Sequence, residues 1–317
     1  MKRICLLVLS LVVIFTSCET KKELKLLQTL EGHSFVVNTA FLNSNGDRAV
    51  SASSDNTIKL WNLETGQCIE TFNGHYGEVW SANFSPDETK IVSASQDGTV
   101  KIWNVNSGAC IKTLTGHTTV VKYATFTPDG SKIVSASKDN KIKIWNANTG
   151  ECLKTLIGHN DYVNHISFSP DGGKIISSSS DGSIKVWNMS SGTCLQSIDA
   201  HSWGVNAAFY NSDGSKIVSV GGDGHVKIWD AERGMCLKTF TGEKDASFSL
   251  NEDLLAVILD TDILIYDVES QEIIQRLSGH GNFVNTVKYS SDGKKIISAS
   301  DDYTIKIWGI LNADDIL

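Results

Sequence analysis

The groups best able to do chemistry in this 317-residue chain are eight histidines, seven cysteines and a long series of aspartates. Together they invite a metal centre or a nucleophile–base pair. Their spacing argues for neither. His33, His75, His117, His159 and His201 follow one another at 42-residue steps, and His280 is a further copy. Trp61, Trp103, Trp145, Trp187 and Trp229 keep the same step, Trp308 accompanies His280, and each of these histidines precedes its tryptophan by 28 residues. A register held by two residue types marks repeated architecture, so these six histidines are expected to be structural. His165 and His225 remain without ligand partners at useful spacing, and no metal or cofactor is expected. Cys68, Cys110, Cys152, Cys194 and Cys236 also repeat every 42 residues. They fall on equivalent strands, too far apart to bridge, and read as small buried hydrophobes.

Outside the repeated sets the reactive residues are scattered: Glu78, Lys122, Asp161, His165 and Asp301. They form no nucleophile–base pair and no phosphate-binding loop, so the sequence gives no reason to expect an enzyme. The formal charge is −8, or −10 once Lys2 and Arg3 are removed. Without a basic stripe, nucleic acid is not an expected partner, which still leaves room for a small basic patch.

The elements that must hold these residues are short strands. In the second copy they are Val79 to Phe84, Ile91 to Ser95, Thr99 to Trp103 and Cys110 to Leu114, separated by Pro86-Asp87, Asp97-Gly98 and Asn106-Ser107-Gly108. Asp-Gly pairs suit tight hairpins because they tolerate positive φ. Runs such as Ile91 to Ser95 are apolar or small on both faces, as a sheet sandwiched between two others requires. Four strands per copy at this period match a propeller blade. Between His201 and His280 there is room for one shortened copy, in which Glu243, Ala256 and Tyr266 replace His, Ser and Trp and Asp260 survives. Five residues are missing there, mostly near Asp245 to Phe248. The expected fold is therefore all-β: a seven-bladed propeller of four-stranded antiparallel blades. Leu26 to Leu30 has no blade of its own and the last copy lacks a fourth strand, so the N-terminal strand should close the ring.

These motifs resemble the WD-repeat family over residues 26–310. The resemblance implies a buried network joining the loop His, a second-strand Ser, the hairpin Asp and the third-strand Trp: His33, Ser51, Asp55 and Trp61 in the first copy, then His75, Ser93, Asp97 and Trp103, and so on to His280, Ser298, Asp302 and Trp308. It also implies a contact surface on the face carrying the Gly-His loops. The positions three and five after each His, and the one before each hairpin Asp, project there. The candidate partner-binding residues are Val36, Asn38, Glu78, Trp80, Gln96, Val120, Lys122, Lys138, Tyr162, Asn164, Asn206, Phe283, Asn285 and Asp301. Unlike the framework, this set varies from blade to blade. Trp80, Tyr162 and Phe283 are its sharpest members because aromatic anchors dominate many interfaces, and Trp203 joins them at a loop tip.

Residues 1–18 read as a signal rather than as fold. Lys2 and Arg3 precede an apolar run from Ile4 to Phe15, too short to span a bilayer comfortably. Phe15-Thr16-Ser17-Cys18 resembles a bacterial lipobox, which implies acylation at Cys18 and a membrane-anchored lipoprotein facing the periplasm or the cell surface, the alternative being secretion. Residues 19–25 would form the tether and 311–317 a short tail. The expected function is a monomeric, non-catalytic scaffold that holds a protein or peptide on the top face. The alternatives are a propeller enzyme or small-ligand binder working in the central channel, and an envelope assembly lipoprotein.

Overall fold

The computed structural model describes residues 23–310. The signal, Cys18 and the tail lie outside the described residues. Within them the chain forms seven four-stranded antiparallel sheets, each built from strands that follow one another in the chain, with one exception. In blade two the strands are Val79–Phe84, Lys90–Ser95, Val100–Asn104 and Cys110–Leu114. The exception is blade seven. Its first three strands are Val284–Tyr289, Lys295–Ser300 and Ile305–Ile310, and its fourth is the N-terminal strand Leu24–Leu30. Leu24 faces Ile310 and Leu30 faces Ile305 in that pairing, so the ring is closed by joining the two ends of the chain.

The core lies between blades, not within them. In one such cluster Val50, Ala52, Ile58 and Leu60 of blade one meet Val79, Ala82, Ile91 and Trp103 of blade two. Second strands such as Lys90–Ser95 are buried on both faces, which explains their runs of Ile, Val, Ala and Ser. The hairpins take the left-handed conformation the sequence demands: Gly98 has φ 81°, and Asn56 and Asn140 stand at 69° and 65° in the same place. The glycine before five of the six loop histidines has a steric reason as well. A Cβ on Gly74, at φ 146°, would lie 3.3 Å from the tip of the Trp103 ring.

Two expectations need correction. The five repeated cysteines are exposed, not buried. They start the fourth, outermost strand of blades one to five, where no further sheet covers them. The sixth blade also differs from its sequence reading. Its first strand, Glu243–Phe248, is whole, and the missing residues come mainly from the loop before it: Gly242 alone connects Thr241 to Glu243. Register places Val257, not Ala256, at the position of the framework serine. Ser219 faces Ala208 and Lys227 in blade five, as Val257 faces Ala246 and Leu264 in blade six.

Candidate functional site

Each intact blade carries one hydrogen-bonded chain from core to rim. In blade two the Trp103 indole N–H donates to Ser93 Oγ at 2.8 Å. Ser93 Oγ lies 2.7 Å from His75 Nε2, and His75 Nδ1 lies 2.7 Å from Asp97 Oδ2. The direction is forced. Indole can only donate and carboxylate only accept, so Nδ1 carries the proton and Nε2 accepts from the serine. The same geometry recurs through His33, His117, His159, His201 and His280. Burial pushes the Asp139 carboxyl up, but the His117 hydrogen bond and two backbone N–H groups outweigh it and hold it at about 2. Burial pulls His159 and His201 below the ordinary imidazole value. All six loop histidines are thereby committed to structure. They cannot act as bases without breaking the frame.

This frame fixes the face above it. The position three after each histidine and the one before the hairpin aspartate are tied by a backbone bond: Ser54 N to Val36 O, Gln96 N to Glu78 O, Lys138 N to Val120 O, Ser180 N to Tyr162 O and Asp301 N to Phe283 O, all at 2.8–2.9 Å. The position five after the histidine points into the channel mouth, where Asn38, Trp80, Lys122, Asn164, Asn206 and Asn285 line one cavity of about 130 Å³. Three of its asparagines bridge blades: Asn38 donates to Val79 O, Asn164 to Val205 O and Asn285 to Val37 O at 2.8–3.0 Å. In blade six Lys244 stands at this position and donates to Asn285 Oδ1 at 2.9 Å.

The aromatic candidates divide. Tyr162 and Phe283 are exposed, and Trp203 is 80 % exposed. Trp80 is half-buried and covered, with Lys122 Nζ 3.1 Å from its ring centroid. Sequence reasoning missed three further exposed rings on this face. Tyr76 follows a loop histidine directly and is 93 % exposed. Phe35 and Tyr303 stack across blades one and seven with centroids 5.5 Å apart. Tyr303 and Phe35 escaped notice because neither sits at the positions that vary in step with the repeat.

Below the mouth the channel holds a polar cluster that the sequence reading also did not assemble. Tyr123 and His165 pack with ring centroids 4.3 Å apart, and Lys288 donates to Asp245 at 2.7 Å. Burial lowers His165 to about 3, with the Lys288 charge adding to it, so the ring is neutral. Tyr123, His165 and Asp245 follow the mouth positions directly in the chain, and Lys288 lies three residues beyond Asn285. Strict alternation would turn them away, but a β-bulge in each first strand, between Val121 and Tyr123 for example, brings both neighbours to the channel. Among the described residues no group of three or more His, Cys, Asp or Glu is placed to hold a metal ion.

Six stretches, residues 24–62, 66–104, 108–146, 150–188, 192–230 and 271–309, match the WD40 family, described as WD domain, G-beta repeat. The chain belongs to the WD40 family. Each matched stretch runs from a fourth strand through the first three strands of the next blade, so the WD40 repeat straddles two blades, and residues 231–270 fall outside the matches together with most of blade six. Similar proteins match only in part. The U3 small nucleolar RNA-associated protein 15 homolog of Xenopus laevis is 34 % identical over 84 residues, 25 % of this chain and 16 % of that protein. The small ribosomal subunit protein RACK1 of Trypanosoma brucei brucei is 56 % identical over 39 residues, 12 % of each chain. The NACHT domain- and WD repeat-containing protein 1 of Mus musculus is 36 % identical over 70 residues, 22 % of this chain and 4 % of that protein. Each match thus spans a sixth or less of the relative's own length.

Proposed function

We propose that the top face is a docking surface for a protein or peptide partner and that the propeller is a non-catalytic scaffold. One contrast carries this reading. The frame beneath is nearly constant, whereas the residues that project from it change from blade to blade, most of all three after the histidine (Val36, Glu78, Val120, Tyr162, Gly204, Phe283), and the same face leaves Tyr76, Tyr162, Trp203 and Phe283 in solvent. Exposed aromatic rings around a rigid rim offer large contact area at low entropic cost. One relative is named as associated with a small nucleolar RNA and another as a small ribosomal subunit protein, which is compatible with a scaffold, and nothing beyond that is carried over from them. The test is crosslinked capture from native extract with the intact chain and with a folded Tyr162→Ala/Trp203→Ala/Phe283→Ala variant. Capture lost with the variant supports the reading. Equal capture by both puts the contact on another face.

The channel supports a second reading, a small-ligand site, because Tyr123, His165, Asp245 and Lys288 line connected cavities there. It ranks below docking because these groups are engaged with one another. Membrane anchoring through Cys18 remains part of the proposal on the strength of residues 1–18 alone. Five exposed thiols weigh against an oxidising compartment. Radiolabelled palmitate incorporation, abolished in Cys18→Ser, would support the anchor, and no incorporation into the intact chain would remove it.

A further inference from the structure

Two positions of the top face are partners in three of the seven blades. Asn38 donates to Ser54 Oγ at 3.1 Å in blade one, Asn164 to Ser180 Oγ at 3.1 Å in blade four, and Asn285 to Asp301 Oδ1 at 2.7 Å in blade seven. Blade three places Lys122 and Lys138 at the same two positions, close enough that the Lys138 charge acts on Lys122. Two ammonium groups cannot bond each other. Among the described residues neither has a carboxylate within ion-pair distance, and Glu78 acts on Lys122 only from further away. Each instead lies over an aromatic ring, Lys122 over Trp80 and Lys138 5.2 Å from the Tyr162 centroid. Among the described residues the Trp80 indole N–H beside them is buried with no hydrogen-bond partner. Like charges brought together and a donor left unpaired both cost stability unless something supplies negative charge and an acceptor.

We propose that Lys122 and Lys138, walled by Trp80 and Tyr162, form an anion pocket that takes a carboxylate-bearing side chain of a peptide docked on the top face. This rests on the docking reading and names the chemistry of the partner. The pocket supplies two lysine amines between aromatic walls on a chain whose net charge is −8. Glu78, on the loop into blade two, tempers the site without neutralising it. Burial is the main reason the Lys122 ammonium is pulled down to about 7, the Lys138 charge adding to it and Glu78 opposing, so an arriving anion would find a lysine that gains from being charged.

The informative variant is Lys122→Asn/Lys138→Ser, which installs the pair already used by blades one and four and so keeps the fold. Calorimetric titration at low salt would use hexaglutamate, hexaglutamine and inorganic phosphate as probes. The expected result is hexaglutamate binding to the wild-type chain, at least tenfold weaker binding to the variant, no binding of hexaglutamine, and a variant melting temperature equal to or above wild type. Tighter binding of hexaglutamate than of phosphate assigns the pocket to a peptide side chain. The reverse order, or equal hexaglutamate binding by both chains, overturns the proposal. Such a failure leaves the docking reading separately testable, because this variant keeps Tyr162, Trp203 and Phe283.

Discussion

Asn164 of blade four donates to Ser180 at 3.1 Å and, through the same amide, to the carbonyl of Val205 in blade five at 2.9 Å. One side chain thus fixes a loop to a hairpin and one blade to the next. Asn164→Ala should leave the Val205 carbonyl short of a donor at a half-buried site and cost about 1 kcal/mol. Chemical denaturation would read this as a lower midpoint with an unchanged slope.

The serine at the centre of each frame should matter more. Ser93→Ala removes the acceptor of the Trp103 N–H and the donor to His75 Nε2 in one step, with both partners buried. A loss of about 3 kcal/mol is expected, since each orphaned group costs roughly 1–3 kcal/mol. Blade six shows what replaces the frame when it is absent: Tyr266 reaches back to the Thr241 carbonyl at 3.1 Å, and Val257 fills the serine site. Ser93→Val paired with Trp103→Tyr should therefore recover part of the loss. No recovery in the denaturation midpoint would mean that blade six is held by other contacts.

Acid should unfold the ring in a defined window. The framework aspartates have folded values held below the ordinary carboxylate range, Asp139 at about 2. Their stabilising contribution is complete above the unfolded value near 3.9 and is lost as pH falls toward the folded value. His159 and His201 act in the same direction, because burial keeps them neutral and the unfolded chain takes up their protons first, below about pH 6.5. The melting temperature should fall gently below about pH 6.5 and steeply below about 4. Asp139→Asn should be less stable at pH 7 yet show a shallower acid decline.

The five rim cysteines should react without unfolding. Each stands exposed at the start of a fourth strand, with its thiol near a carbonyl two residues on, as Cys68 Sγ lies 3.3 Å from Glu70 O. Brief alkylation of the native protein followed by peptide mass analysis should label Cys68, Cys110, Cys152, Cys194 and Cys236 alike. Labelling that requires denaturant would contradict the strand assignment.

The ring was legible because its determinants are periodic. A histidine and a tryptophan kept 28 residues apart fix each blade, and Leu26 to Leu30 declares itself as the missing fourth strand by resembling Cys110 to Leu114. The channel was not legible, because Tyr123, Asp245 and Lys288 reach it through or beyond a bulge that alternation does not register. The cysteines misled because a small apolar side chain suits either a core or a bare sheet edge, and only strand order tells which. In blade six a five-residue gap could be assigned to the strand or to the loop before it, and only the pairing of Ala246 with Val257 decides. The lysine pair of blade three was named residue by residue, but its meaning depends on Asn–Ser bonds seen only in three dimensions.

The central claim is that partners bind the face of the Gly-His loops. Peptides would be selected from a random displayed library on the wild-type propeller, and the best binder mapped by hydrogen-exchange protection. Protection confined to the loops around Tyr162, Trp203 and Phe283, with affinity lost in their alanine variants and retained in Ile69→Ala/Leu195→Ala on the outer rim, is the predicted result. Protection of the outer strands, with affinity lost in the rim variant instead, would contradict it.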